Sequence, residues 1–331
     1  MQVADQKTNT KPPKLKPVKK LPHSFLFVHI PKTAGTSFRK SAEELYPTLG
    51  DYGNKSLHTS ELIMEHCYQQ PDMYTLKRAF EHDNQILSGH FLSQKYLDFV
   101  DTRRILSFVR DPFEQVVSHY NHCVTHLGYE GEFDAFIKLP KYCNVQSRYL
   151  NVLPVALFGF VGLTAKYDES LAFINQKFGL EVSFKQDNVG LEKTQVKETL
   201  TPEQCEVIAT NNSLDVTLFN QVKVLFEQRV TCQNNNLVWV HSCGHINPNH
   251  ILVGCAYYEQ REDAVELELF INNKLVKQFY ADQFTGLYPK AKFPRARYVG
   301  FHVNLTHFDH VDQVQLKVHE TGQIVFEQIV K

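Results

Sequence analysis

The apolar positions of this chain fall into two regimes. Up to about residue 230, short unbroken apolar runs alternate with stretches whose apolar residues recur every three or four positions. Phe25 to Ile30 (FLFVHI) is such a run, ended by Pro31, the pattern of a strand covered on both faces of a parallel sheet. Gln85 to Gly89, Arg104 to Val109 and Val155 to Leu163 repeat it. At Asp111-Pro112-Phe113-Glu114 the order cap, proline, acid opens a helix, with Phe113, Val116, Val117, Tyr120 and Val124 along one face. Thr201-Pro202-Glu203-Gln204 opens another by the same logic, and Leu214, Leu218, Val222, Leu225 and Phe226 line one face of a further helix. Strands alternating with helices predict a parallel α/β sheet.

Past Cys232-Gln-Asn-Asn-Asn236 the helical stripe disappears. His250 to Tyr258, Ala264 to Ile271, Leu275 to Tyr280, Arg297 to Asn304, Val311 to His319 and Gln323 to Val330 are short β-type runs, with Asn272-Asn273 and Thr321-Gly322 as turn signals. The expectation is a P-loop-like α/β domain over residues 23–232 and a β-sandwich over 233–331, after a disordered basic lead-in over 1–22.

Composition narrows the classes of function. A chain of 331 residues with 43% apolar residues buries a full core. Lys plus Arg number 35 against 36 Asp plus Glu, so no overall field favours nucleic acid or a membrane surface, and any anion site must be built locally. The first twenty residues hold no apolar stretch of the kind that makes a signal peptide or a membrane anchor. Seven scattered cysteines without a CxxC pair fit free thiols, and the cytoplasm is the expected compartment.

The chemistry concentrates in the loop after the first strand, His29-Ile-Pro-Lys32-Thr33-Ala34-Gly35-Thr36-Ser37. A strand that turns straight into a helix directs backbone N–H groups and a helix N-terminus at one concavity, which suits an anion. Gly35 permits close approach, Thr36 and Ser37 add hydroxyls, and Lys32 adds a positive charge. The Walker pattern GxxxxGK[ST] is absent, because the lysine precedes the glycine.

PKTAGTS after a buried strand resembles the 5′-phosphosulfate loop of the carbohydrate sulfotransferases, in particular the heparan and uronyl 2-O-sulfotransferase-like group. Val109-Arg110-Asp111-Pro112 through Ser118 is similar to that family's 3′-phosphate segment, so the resemblance assigns Arg110 and Ser118 to that phosphate. His90, in Ser88-Gly89-His90-Phe91 at the end of the second predicted strand, inherits the role of general base, with His29 and His119 as competitors. Asn144, Gln146 and Arg148 match an NxQxRxL segment placed near the acceptor, and Lys193 is the one basic residue where the family has a basic loop over the nucleotide.

The resemblance implies 3′-phosphoadenosine-5′-phosphosulfate (PAPS) as donor and a carbohydrate or other hydroxyl compound as acceptor. His90 would take the acceptor proton, Lys32 would stabilise the leaving phosphate, and the amides of Thr33, Ala34, Gly35, Thr36 and Ser37 would hold the 5′-phosphate. No metal is expected, since sulfuryl transfer does not require one. Cys232, His241, Cys243 and His245 raise the possibility of zinc, but no second ligand pair stands at a familiar spacing. Two other readings compete: a P-loop kinase or nucleotide hydrolase, and a glycan-binding protein with a decayed nucleotide domain. The family's animal members carry Golgi membrane anchors, whereas the expectation for this chain is a bacterial-type cytoplasmic enzyme. Neither the oligomeric state nor the identity of the acceptor is legible.

Overall fold

Four-residue strands without a polar face need cover on both sides, and the chain supplies it. A computed structural model describes residues 19–183 and 199–330. Strands β1 (Phe25–Val28), β2 (Thr48–Asp51), β3 (Ile86–Gly89), β4 (Ile105–Val109) and β5 (Phe160–Leu163) form one parallel sheet in the order β2-β3-β1-β4-β5. Phe25, Phe27, Ile86, Leu87, Ile105, Leu106 and Phe108 are fully buried, and the Phe27 ring stacks on Phe38 of the first helix with centroids 4.2 Å apart.

Helices α1 (Gly35–Leu45), α2 (Glu61–Ile63, running into a π-helical turn at Met64–Gln69), α3 (Met73–Asp83), α4 (Pro112–Leu127), α5 (Phe133–Phe136), α6 (Val145–Leu150), α7 (Tyr167–Phe178), α8 (Pro202–Asn211) and α9 (Ser213–Asn234) flank the sheet. The Asp111 carboxylate caps α4, accepting from the amides of Phe113 and Glu114, and Thr201 and Gln204 close a capping box on α8. Because β1 sends its chain one way to β2 and β3 and the next strand, β4, lies on its other side, the sheet divides at the C-terminal ends of β1, β3 and β4. Open α/β sheets place ligands at such a division.

The expected strand over Val155 to Leu163 is shorter than predicted. Val155–Leu157 is a 3-10 turn after Pro154, and only Phe160–Leu163 pairs in the sheet. On α9, Leu218, Val222 and Phe226 are buried as the periodicity requires, but Leu214 is 61% exposed. Val124 of α4 likewise faces solvent.

The remaining strands are β6 (Val240–Ile246), β7 (Ile251–Tyr258), β8 (Val265–Ile271), β9 (Lys274–Ala281), β10 (Gln283–Phe284), β11 (Tyr298–Asn304), β12 (Gln313–Val318) and β13 (Ile324–Ile329). They make two antiparallel sheets, β10-β11-β7-β6 and β13-β12-β8-β9, whose facing residues share one apolar core around Leu252, Tyr258, Leu267, Leu269, Phe301 and Leu316. Asn272 and Asn273, both left-handed with φ of 49° and 64°, form the tight turn between β8 and β9.

The outer face of the first sheet is not solvated. Cys255, Tyr257, Phe293 and Val299 join the core of the α/β part. The Tyr257 hydroxyl and Thr102 Oγ1 lie 2.7 Å apart, His241 Nδ1 contacts the Ala156 carbonyl at 2.9 Å, and Arg229 of α9 is ion-paired with the buried Glu259. Among the described residues, no helix is long and apolar enough to cross a membrane.

Candidate active site

The loop after β1 closes on itself before it reaches the helix. Thr33, buried, donates its hydroxyl to the Ile30 carbonyl at 3.0 Å, and the Ser37 amide reaches back to the Ala34 carbonyl at 3.2 Å. Lys32 and Ala34 take left-handed backbone conformations with φ of 67° and 66°, which non-glycine residues adopt at a cost and which turn the loop sharply. Ala34 occupies the cap position of α1 without a capping side chain. The amides of Thr33, Ala34, Gly35 and Thr36 donate no backbone hydrogen bond among the described residues. An eleven-residue helix therefore presents its uncapped N-terminus to the cleft.

Two contacts hold the loop from behind. Thr164, just past β5, directs its hydroxyl at the carbonyls of Thr33 and Val109, 3.1 Å from each, and Gln115 of α4 donates to the Pro31 carbonyl at 3.3 Å. Neither residue stands out in the sequence. Lys32 is half-buried, and among the described residues it has no carboxylate partner. Burial first, and then the charge of Arg110, lower its pKa.

Arg110 leaves the end of β4. Its main chain is clasped by the fully buried Gln146, which accepts from the Arg110 amide at 2.8 Å and donates to its carbonyl at 2.9 Å. Its side-chain Nε donates to Glu114 at 3.0 Å. Ser118 follows one turn after Glu114 and is partly exposed, so Arg110, Glu114 and Ser118 share one side of the α4 entry.

His90 is exposed at the end of β3. Its amide donates to the Asp51 carbonyl at 2.9 Å, and its Nδ1 lies 2.7 Å from the His29 carbonyl. A carbonyl accepts only, so Nδ1 carries the proton and Nε2 of the neutral ring keeps its lone pair. Partial removal from water lowers the His90 pKa, the contact to His29 opposes this, and Arg39 adds to the lowering. The neutral, proton-accepting form therefore persists below the ordinary histidine value.

His29 and Tyr52 pack around that ring. The His29 and His90 centroids are 4.5 Å apart, and Tyr52 stands perpendicular to His90 at 4.9 Å. The Tyr52 hydroxyl contacts both His29 Nδ1 and Ser88 Oγ at 3.1 Å. Asp51, at the end of β2, is buried and receives Tyr68, Tyr96 and Lys95, which fixes the strand that holds Tyr52. Across the cleft on α4, burial pushes the His119 pKa down to about 4, with help from His122, Lys32 and His90. Burial keeps these histidines neutral, so the fixed positive charge on this side of the cleft comes from Lys32 and Arg110, the latter paired with Glu114.

The remaining predicted residues sit elsewhere. Asn144 binds the α8–α9 junction, donating to the Asn211 carbonyl and accepting from the amides of Leu214 and Asp215. Gln146 is occupied by the Arg110 backbone, and Arg148 is exposed and donates to the Lys141 carbonyl. Lys193 lies outside the described residues. His241, Cys243 and His245 do not converge: His241 is buried against Ala156 and Glu259, and Cys243 faces Cys255 with sulfurs 3.5 Å apart. No group of three or more His, Cys, Asp and Glu side chains placed to hold a metal occurs among the described residues.

Residues 20–144 match the model of the Sulfotransferase family. That span is less than half of the chain, yet it contains Lys32, His90, Arg110 and Ser118. A crystal structure of a sulfotransferase from Alicyclobacillus acidocaldarius is similar at 17% identity and a TM-score of 0.32, over 58% of this chain and 95% of that one. No curated protein sequence matches the chain.

Proposed function

We propose that the protein is a PAPS-dependent sulfotransferase acting on a hydroxyl of a saccharide or related compound. The observation that carries this reading is the grouping of an uncapped helix N-terminus with Lys32, near Arg110, and with His90, whose Nδ1 is held by the His29 carbonyl so that its neutral ring accepts at Nε2. The family match over the same residues supports the sulfuryl group as the one transferred.

In this reading the amides of Thr33, Ala34, Gly35 and Thr36 hold the 5′-phosphate, the Ser37 amide being turned back to the Ala34 carbonyl, and Arg110 with Ser118 holds the 3′-phosphate. The acceptor oxygen forms a bond to sulfur while its proton passes to His90 Nε2. The sulfur–oxygen bond to the 5′-phosphate breaks, its electron pair stays on the phosphate oxygen, and Lys32 neutralises the charge that develops there. The products are the sulfate ester and 3′,5′-ADP, and the base returns its proton to solvent. Gln146, Asn144 and Gln115 serve as positioning residues for Arg110 and the loop rather than as acceptor contacts. The reading is tested by incubating the protein with PAPS and a panel of mono- and oligosaccharides. Acceptor-dependent release of 3′,5′-ADP is expected, whereas magnesium-dependent hydrolysis of ATP without use of PAPS would favour the kinase or hydrolase reading.

A further inference from the structure

His29 is placed to do more than support its neighbour. It is only 4% exposed, yet its Nε2 has no hydrogen-bond partner among the described residues. That edge of the ring lies over Gly35: a Cβ built there would sit 2.7 Å from His29 Nε2 and 2.2 Å from Cδ2. Gly35 is the first residue of α1, so this edge of the ring packs against the first turn of the helix whose N-terminus forms the cradle. On its other side His29 packs on the proposed base at 4.5 Å. A group held between the 5′-phosphate loop and His90 is the group being transferred.

We infer that His29 donates a hydrogen bond from Nε2–H to an oxygen of the transferring sulfuryl group, its tautomer set by the Tyr52 hydroxyl at Nδ1. The inference rests on the sulfotransferase reading. In this assignment the two 3.1 Å contacts of the Tyr52 hydroxyl run in one sense, Ser88 Oγ donating to the Tyr52 oxygen and Tyr52 donating to His29 Nδ1, which leaves the proton of a neutral His29 on Nε2. Burial pushes the Tyr52 pKa up to about 12, so the phenol stays a donor, and His29 is held well below the ordinary histidine value by burial, His90 and Arg39. The two packed histidines thus carry opposite tautomers. His90 has Nδ1–H on a carbonyl and an accepting Nε2, while His29 has an accepting Nδ1 and Nε2–H. One removes the acceptor proton and the other binds the sulfuryl group that the acceptor oxygen receives. No atom of His29 is consumed, and its role is complete when the sulfur–oxygen bond to phosphate has broken.

Two measurements test this. Imidazole nitrogen NMR on the ligand-free protein should report His29 protonated at Nε2 and His90 at Nδ1. His29 protonated at Nδ1 would overturn the inference whatever the activity. In turnover, His29→Gln can return an N–H to the Nε2 position and should keep most of kcat, whereas His29→Asn cannot and should lose about 10²-fold. Both should bind 3′,5′-ADP like the parent, because the product lacks the sulfuryl group. Equal kcat in the two variants and the parent would overturn the role of His29 alone. A parent protein that neither binds 3′,5′-ADP nor turns over PAPS would overturn the underlying reading instead.

Discussion

Gln146 and Arg110 exchange two hydrogen bonds, side chain to main chain, at 2.8 and 2.9 Å, so the arginine at the end of β4 is aimed by a buried amide in α6. Replacing Gln146 with leucine leaves a buried N–H and C=O of Arg110 unpaired, a loss of about 1–3 kcal/mol per group. Urea denaturation should show that destabilisation, and 3′,5′-ADP affinity should fall while 5′-AMP affinity changes little. Unchanged stability would mean that the pair does not hold Arg110.

Gly35→Ala puts a methyl group 2.2 Å from the His29 ring, which is pinned by Tyr52 and His90. The ring cannot yield without disturbing His90, the proposed base. We expect destabilisation of about 1–3 kcal/mol and a loss of turnover larger than that of nucleotide binding. An alanine variant with parental kcat would show that the His29 ring is free to move.

The histidines near Lys32, which burial keeps neutral, give the site a pH signature. His119, pushed down to about 4 from the ordinary 6.5, is neutral in the folded protein where it would be protonated in the unfolded chain. Its contribution to stability is complete above pH 6.5 and is lost as pH falls toward 4. Binding a polyanion raises the pKa of His119, His90 and His122 together, so 3′,5′-ADP should take up protons near pH 5 to 6. Calorimetry in two buffers of different ionisation enthalpy measures this, and proton release would contradict the placement of the anion beside these histidines.

Much of this architecture is readable from the chain, for identifiable reasons. β1, β3 and β4 are covered on both faces and so appear as unbroken apolar runs, and Asp111 and Thr201 announce their helices through side chains that cap them. β2 does not appear that way. Thr-Leu-Gly-Asp has one large apolar residue, its Gly50 lies against the His58 carbonyl, and its Asp51 is buried only because three side chains reach it from residues 68 to 96. Tyr52 inherits that obscurity, although it touches both histidines. Asn144 and Gln146 show the converse: the motif is visible, but only the fold reveals that their amides tie α6 to α9 and to Arg110.

The β-sandwich is bound to the α/β part by more than a linker. Arg229 and Glu259 are buried together, with Lys177 and His241 beside them. Removing the carboxylate with Glu259→Ala strands a buried guanidinium, a loss of about 3–5 kcal/mol. A chain ending near Gln233 also bares the surface that Tyr257 and Phe293 cover, and should be unstable or insoluble. A soluble truncated protein that binds 3′,5′-ADP would show the α/β part to be autonomous.

In the proposed function, Arg110 and the loop from Lys32 to Ser37 read a nucleotide with phosphates at both ends of its ribose. Calorimetric titration of the full chain in metal-free buffer with 3′,5′-ADP and with 5′-AMP tests it. Binding of 3′,5′-ADP should be tighter by at least about tenfold, with that advantage removed in Arg110→Ala, since a charge-assisted contact is worth roughly 1.5–3 kcal/mol. Equal affinities for the two nucleotides in the parent protein would contradict it.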